Sequence, residues 1–342
     1  MTPGTPRLVL ATSPFLKRAV DTPTIMRHVI YSLVPALLAA AYFFGVSAIL
    51  LVLASVAGCV LTEWVIRSRP PLAQSSIADG SAILTGVLLA LTLPPGMPLW
   101  MGFLGGVFAI GFGKLLFGGL GHNVFNPSLV GRAFLQACFP VAITTWAAPH
   151  GLEHFFTVHQ STLAFPFAIP VPDAVTTATP LAKMKFDAAP TAVRDLFIGT
   201  RAGSLGETSS MMILLGGAYL AYRRFLNWRI PVGMLAGAFI VGQMLHMTNP
   251  ARYADGLFHM LSGGMMLGAV FMATDPVTSP VTPLGAWIFA VLCGALVVVI
   301  RLFSGLPEGV MYAILLMNGF TPLIDRWTQP RTYGTGKRRN HG

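Results

Sequence analysis

Charged residues are scarce in this sequence. Only 10% of its 342 residues are Asp, Glu, Lys or Arg, whereas a soluble globular chain carries about 25%. Hydrophobic residues make up 54% of the chain, and its mean hydropathy is +0.69. The composition therefore excludes an ordinary soluble domain and indicates an integral membrane protein.

Cysteine is also scarce, since the chain has only Cys59, Cys138 and Cys293, each alone in an apolar stretch. Without a C-x-x-C pair we predict no zinc or iron–sulfur site, and we expect each cysteine to be a small buried hydrophobe. The glycine-rich run at 111–121 is not a P-loop, because Leu115 stands where Ser or Thr is required. No catalytic residue and no metal ligand is predicted.

Long apolar runs are abundant, and a membrane span needs about 20 mainly apolar residues. Such runs lie near 26–45, 46–66, 80–95, 98–117, 127–147, 209–223, 231–248, 256–274, 284–303 and 307–325. The sequence therefore predicts an all-α polytopic membrane protein of about ten transmembrane helices.

Lys and Arg give the chain its net charge of +10 and lie mostly in short segments between the apolar runs. Lys114 and the cluster Lys337–Arg339 are examples. Basic residues in short loops mark the cytoplasmic side, so we expect both termini there and the long segment 148–208 outside. The same pattern argues against a nucleic-acid partner. The polar, basic start lacks an A-x-A site, so no cleavable signal peptide is predicted.

Two gapless alignments indicate an internal repeat. Residues 81–94 align with 263–276, and residues 117–124 align with 303–310 at nearly the same offset. Five spans in each half would insert the halves with opposite orientations, as in many transporters. The expected organisation is a cytoplasmic segment 1–25, a first five-helix repeat 26–147, an extracytoplasmic loop 148–208, a second five-helix repeat 209–325 and a basic cytoplasmic tail 326–342.

Polar residues interrupt several of the apolar runs. Asp79, Asn123 and Asp275 are candidates for contact with an ion or a cofactor, because polar groups at membrane depth usually serve a function. The two aspartates could equally cap helix ends. Gly- and Pro-rich segments flank these positions, and they are either loops between spans or breaks within helices.

The segment 173–181 reads DAVTTATPL. It resembles the motif D-x-x-[S/T]-G-A-T, in which the last threonine carries FMN through a phosphoester bond. Asp173, Thr176, Ala178 and the acceptor Thr179 match, whereas Thr177 replaces the usual glycine.

The surrounding chain resembles the D subunit of the Rnf ion-translocating electron transport family, and also the B subunit of the sodium-translocating NADH:quinone reductases. The matching stretches are SPFLKR, DGSAILTGVLLALTLPP, GHNVFNPSLVGRAF, FMATDPVTSP and PEGVMYAILLMN. Their shared order along the chain makes the resemblance more specific than the flavin motif alone.

The resemblance implies a subunit that relays electrons between ferredoxin and NAD+ couples while Na+ or H+ is translocated. It implies covalent FMN on Thr179, allows for a non-covalent riboflavin, and leaves Lys183 as either a phosphate partner or a solvated charge. Expected partners are a second flavinylated subunit, iron–sulfur subunits, small membrane subunits and membrane lipid. The expected location is the bacterial inner membrane, with Thr179 on the periplasmic side.

Two alternatives remain open. The quinone reductase B subunit usually has a longer N-terminal region than the roughly 25 residues that precede the first apolar run here, which favours Rnf. A channel or carrier with inverted repeats and no redox chemistry would explain the apolar runs, but not the flavin motif.

Overall fold

The computed structural model describes residues 21–67, 79–149, 151, 155–166, 177–187, 189, 191–199, 201–250 and 252–330. Within these ranges the regular structure is helical and contains no strand. Asp173 and Thr176, two residues of the flavin motif, lie outside the described residues.

The helices of the first part of the chain are α1 (Thr22–Ile66), α2 (Ser81–Leu91), α3 (Leu99–Ile110), α4 (Pro127–Cys138) and α5 (Pro140–Ile143). The segment between the two parts contains a 3-10 turn (Gln160–Leu163), α6 (Pro180–Asp187) and α7 (Val193–Ile198). The helices of the second part are α8 (Ser210–Tyr222), α9 (Arg229–Thr248), α10 (Gly256–Leu261), α11 (Met265–Leu267), α12 (Pro283–Phe303) and α13 (Val310–Thr328). Helices α3 and α11 continue into the π-helical turns Gly111–Leu115 and Gly268–Met272.

Three helices, α1, α9 and α12, are long and apolar enough to cross a membrane, and several shorter apolar helices accompany them. Helix α1 has 45 residues, which is roughly 68 Å at 1.5 Å per residue and more than twice the hydrocarbon thickness of a bilayer. Gly45 interrupts it with φ 64° and ψ −148°. A side chain at Gly45 would collide with the carbonyl of Phe155, which accepts a hydrogen bond from the Val46 N–H at 2.9 Å. Both sides of this break are long enough to span a bilayer.

Two predicted spans are not continuous helices. The run near 127–147 stops at Cys138, because Pro140 disfavours helical geometry at Phe139, where φ is −131° and ψ is 58°. The run near 256–274 breaks after α10, where Gly263 has a φ of +61°. The other predicted runs within the described residues lie within a few residues of observed helices.

The three cysteines differ in their surroundings. Cys59 and Cys293 are fully buried, as expected, but Cys138 at the end of α4 is exposed. The prediction that all three are buried is therefore wrong for Cys138, because α4 ends there instead of continuing as a packed helix.

Candidate functional site

A cavity of about 310 Å³ lies beside Thr179, and we call it the Thr179 cavity. Helices α4, α6 and α13 and the turn between α12 and α13 contribute to its walls. Its polar lining includes Thr92, Arg132, Thr177, Thr179, Glu207 and Glu308. Trp146, Phe186 and Tyr312 add aromatic surface.

Thr179 precedes α6 and caps it. Its hydroxyl oxygen accepts a hydrogen bond from the Ala182 N–H at 3.2 Å, and its carbonyl accepts one from the Lys183 N–H at 2.9 Å. Pro180 follows as the first helical residue, where its fixed φ suits a helix start. Thr179 is 4% exposed, so its hydroxyl group lies inside the cavity wall at the positive end of a helix dipole.

Lys185 anchors α6 to the end of α12. Its ammonium group donates to the carbonyl of Arg301 at 2.8 Å, to that of Leu306 at 3.1 Å, and also to that of Ser304. The Arg301 carbonyl is one of the final carbonyls of α12, which lack partners within the helix, and the other two carbonyls belong to the turn that follows. Lys185 therefore fixes α6 beside the end of α12. Lys183 is exposed and is not part of the cavity lining, and its role toward a phosphate stays a prediction.

Thr177 and Ala178 reach the same cavity as Thr179. The backbone N–H and the hydroxyl group of Thr177 both donate to the Trp146 carbonyl, at 3.1 and 3.2 Å. The extra side chain at this position, where the flavin motif usually has glycine, is therefore held by the Trp146 backbone.

Arg132 of α4 and Glu308 form an ion pair, and both residues line the cavity. One terminal nitrogen of Arg132 donates to Glu308 Oε2, and the other donates to the Thr92 carbonyl at 2.8 Å. Arg132 Nε and Glu308 Oε1 are buried and have no hydrogen-bond partner. A buried polar atom without a partner is costly, so this pair is incomplete without a ligand or water.

Glu207 is a second incomplete carboxylate in the lining. Its Oε1 atom is buried without a partner, while Oε2 accepts a weak hydrogen bond from the Ser204 N–H at 3.4 Å. Arg201 supports the segment by donating to the carbonyls of Glu207 at 3.0 Å and Leu261 at 2.7 Å. Burial lowers the pKa of Arg201 to about 10 although Glu207 opposes the shift, so Arg201 remains charged at neutral pH.

A smaller cavity of about 100 Å³ lies among the polar residues that interrupt the apolar runs. Asn123, Asp275 and Ser81 are among the residues that line it, and we call it the Asp275 cavity. Asp79 accepts hydrogen bonds from the N–H and the hydroxyl group of Ser81, at 2.7 and 2.5 Å. The three positions that the sequence marked as polar are therefore close together, although Asp79 reaches the cavity only through Ser81.

Asp275 also carries out a local capping role. Its carboxylate accepts hydrogen bonds from the Val277 N–H and the Thr278 hydroxyl group, each at 3.3 Å. The Asn123 side chain lines the same cavity and donates to the Phe125 carbonyl at 3.3 Å. Both aspartates thus make the backbone contacts expected of capping residues, and contact with a ligand is not required to explain either one.

Glu63 and Lys114 form a buried pair that the sequence pattern did not predict. The Lys114 ammonium group lies 2.8 Å from both carboxylate oxygens of Glu63 and 2.7 Å from the Ser81 hydroxyl group. The two side chains are 0% and 1% exposed. Treating Lys114 as a loop charge that reports membrane orientation was wrong, because it lies inside the π-helical turn Gly111–Leu115. Hydropathy averaged over a span hides such a pair.

Comparison with known proteins decides the family. Residues 9–334 match the NQR2, RnfD, RnfE family. The chain belongs to this family. Across the described residues no group of three His, Cys, Asp or Glu side chains is placed to hold a metal ion.

Several curated members of the family are similar over nearly their whole length. The D subunit of the proton-translocating ferredoxin:NAD(+) oxidoreductase complex of Clostridium ljungdahlii is 40% identical, over 95% of this chain and 96% of that protein. The D subunit of the Na(+)-translocating complex of Acetobacterium woodii is 43% identical, over 96% of each. The D subunit of the ion-translocating oxidoreductase complex of Stutzerimonas stutzeri is 42% identical, over 92% of each. Relatives named for different ions are thus about equally similar.

Proposed function

We propose that this chain is the D subunit of an Rnf-type complex, an ion-translocating oxidoreductase that links ferredoxin and NAD+ couples. The full-length similarity to three proteins named as D subunits carries this proposal. The family also includes the quinone reductase branch, but these relatives favour the Rnf branch. Partners would be the other Rnf subunits, and the translocated ion is either Na+ or H+.

We also propose ten spans in two inverted five-helix repeats in the bacterial inner membrane, with both termini cytoplasmic and Thr179 periplasmic. Helix packing supports this arrangement. In the first half, Gly106 of α3 fits against the Ser55 carbonyl of α1, and in the second half Gly294 of α12 fits against the Met234 carbonyl of α9. In each case a Cβ would collide with the facing backbone, which is the close approach that small residues allow between membrane helices.

Within this subunit, we propose that Thr179 carries FMN through a phosphoester bond. The Thr179 cavity fits such a group, because its volume falls within the range of about 300–1,000 Å³ of ligand sites. The start of α6 suits a phosphate, and the unpartnered atoms of Arg132, Glu207 and Glu308 offer hydrogen bonds of both kinds. When bound, a flavin supplies one- and two-electron redox chemistry.

The chain's own residues would position and tune this group. Arg132 and Glu308 place opposite charges at one wall of the cavity, and fixed charges shift the energy of a redox centre. Lys185 keeps α6, and with it Thr179, against the end of α12. Trp146 and Phe186 supply aromatic surface at which a planar ring can pack.

The Asp275 cavity is a candidate for ion contact through Asp275 and Asn123, with Asp79 acting through Ser81. At about 100 Å³ it is smaller than a typical organic-ligand site, which favours an ion or water over a flavin ring. Riboflavin as a second cofactor therefore stays a prediction without an assigned site.

The covalent flavin is tested by intact-protein mass spectrometry and in-gel fluorescence after full denaturation, with the flavin transferase co-expressed. Wild type and a Thr177→Ala control should gain the mass of FMN less one water, and Thr179→Ala should not. An adduct that persists in Thr179→Ala would contradict attachment at this residue. An unmodified wild type would contradict the covalent flavin and bring the non-redox transporter alternative forward.

A further inference from the structure

A third cavity, of about 230 Å³, lies on the other side of α6, and we call it the His259 cavity. Its walls come from α6, α10, the end of α12 and the segment before α10. The residues that matter here are Lys185, Arg252, Phe258, His259, Arg301 and Leu302. Phe186 and Pro307 line both this cavity and the Thr179 cavity, whereas Thr179 lines only its own.

His259 is the unusual residue in this cavity. His259 is only 2% exposed, yet neither of its ring nitrogens has a hydrogen-bond partner. The ring packs against Gly242: a Cβ added to this glycine would lie 2.7 Å from the Cδ2 atom of His259. Buried imidazole nitrogens are normally satisfied, so this ring is held in place with an unused donor and an unused acceptor.

Arg301 offers a second unused donor. Its terminal nitrogens donate to the carbonyls of His259 at 2.6 Å and Ser262 at 2.8 Å, which fixes the guanidinium group. Its Nε atom is buried without a partner. The Arg301 guanidinium group is therefore anchored through both terminal nitrogens, and its Nε–H has no acceptor.

The charge of the lining has one sign. Arg252 is exposed at the cavity, and Lys185 adds a positive charge although its protons are bound to carbonyls. Among the described lining residues there is no Asp or Glu. The acidic groups that act on Arg301, Glu207 and Glu308, line the Thr179 cavity. A positive cavity with unused donors favours an anion.

We infer that the His259 cavity binds a phosphate group, held by Arg252 and by the free N–H groups of His259 and Arg301. A phosphate presents several acceptor oxygens, and hydrogen bonds from charged donors to such oxygens are strong. Phe258 and Leu302 give the same cavity apolar surface. This lining suits a phosphate carried by an amphiphile as well as a free phosphate ion.

The test uses the purified whole complex in two arms. One arm titrates inorganic phosphate by calorimetry in detergent. The other reconstitutes the complex in nanodiscs of phosphatidylglycerol and phosphatidylcholine, and measures retained phosphatidylglycerol by native mass spectrometry. Arg252→Gln removes an exposed charge, and His259→Phe keeps the ring shape but removes both nitrogens. Arg194→Gln is the matched control, because Arg194 is exposed in α7 and does not line the cavity.

We expect Arg252→Gln and His259→Phe each to weaken phosphate or lipid binding about tenfold, and Arg194→Gln to leave it unchanged. A signal with inorganic phosphate alone identifies a free anion, and a signal with the lipid alone identifies a headgroup. Absence of both signals in wild type, or equal loss in the Arg194→Gln control, overturns the inference. Thr179→Ala should retain the signal, which separates this site from the proposed flavin.

Discussion

Two ion pairs in this chain, one buried and one partly buried, differ in how completely their hydrogen bonds are satisfied. Lys114 directs its ammonium group at both oxygens of Glu63 and at the Ser81 hydroxyl group. Arg132 and Glu308 each keep a buried atom without a partner, and both line the Thr179 cavity. Lys114 lines the Asp275 cavity, but all three of its ammonium protons already have acceptors. The Arg132–Glu308 pair instead retains unpartnered atoms that can interact with a ligand. We therefore regard the first pair as structural and the second as part of the candidate functional site.

The largest effect is expected from breaking the Glu63–Lys114 pair. Lys114→Met leaves the Glu63 carboxylate buried without its cation, and we expect the free energy of unfolding to fall by about 3–5 kcal/mol. The change in stability is measured by thermal unfolding in detergent, with the remaining soluble complex as the readout. The double variant Glu63→Met with Lys114→Met should recover most of the loss, because it removes both charges. A double variant as unstable as the single one would contradict a simple pair.

Breaking the Arg132–Glu308 pair should affect activity more than stability. Arg132→Gln removes one partner of a pair that already faces a cavity, so we expect a loss of about 1–2 kcal/mol in unfolding free energy. Ferredoxin-dependent NAD+ reduction by the assembled complex should fall about tenfold, because a charge beside the proposed flavin is lost. If Arg132→Gln unfolds like Lys114→Met, or keeps full turnover, the distinction between the two pairs fails.

A smaller effect is expected where α6 meets α12. Lys185→Met removes hydrogen bonds to three carbonyls, so local opening of 180–187 should rise about fivefold or more in hydrogen exchange. Flavin incorporation at Thr179 should fall in parallel. Lys183→Met is the matched control, since Lys183 is exposed on the same helix. Equal effects of the two variants would show that charge, and not anchoring, matters here.

The smallest effect is expected at Thr177. Thr177→Gly restores the residue usual in the flavin motif and removes a hydroxyl bond to the Trp146 carbonyl. Because the backbone N–H of Thr177 keeps the same acceptor, we expect flavin incorporation to change by less than about twofold. Quantitative in-gel fluorescence measures it. A several-fold rise would mean that the threonine hinders the transferase.

Hydropathy predicted the helical, membrane-spanning character of this structure, whereas the flavin motif predicted only a candidate site. The apolar runs located the long helices α9 and α12, since burial in a membrane requires continuous apolar sequence. The polar interruptions at Asp79, Asn123 and Asp275 were each candidates for ion or cofactor contact, and that role stays a prediction. Asn123 and Asp275 line one small cavity, and Asp79 contacts its lining residue Ser81. The motif also identified Thr179 as the candidate acceptor. Thr179 lines a cavity, and the covalent flavin stays a prediction.

The pairings could not be predicted, because they join residues far apart in sequence. Glu63 and Lys114 are 51 residues apart, and Arg132 and Glu308 are 176 apart. A basic residue near the end of an apolar run has the same appearance whether it faces solvent or a buried acid. The interior breaks at Phe139 and Gly263 were similarly hidden, because the runs around them stay apolar.

The most direct test of the central claim is the midpoint potential of the flavin proposed on Thr179, measured by spectroelectrochemistry on the purified complex. If Arg132 and Glu308 face the flavin, Arg132→Gln should lower the potential and Glu308→Gln should raise it, each by roughly 30 mV or more. Arg194→Gln should leave it unchanged. Shifts of opposite sign in the two cavity variants are the predicted result, and a potential that is the same in all four proteins would contradict the account.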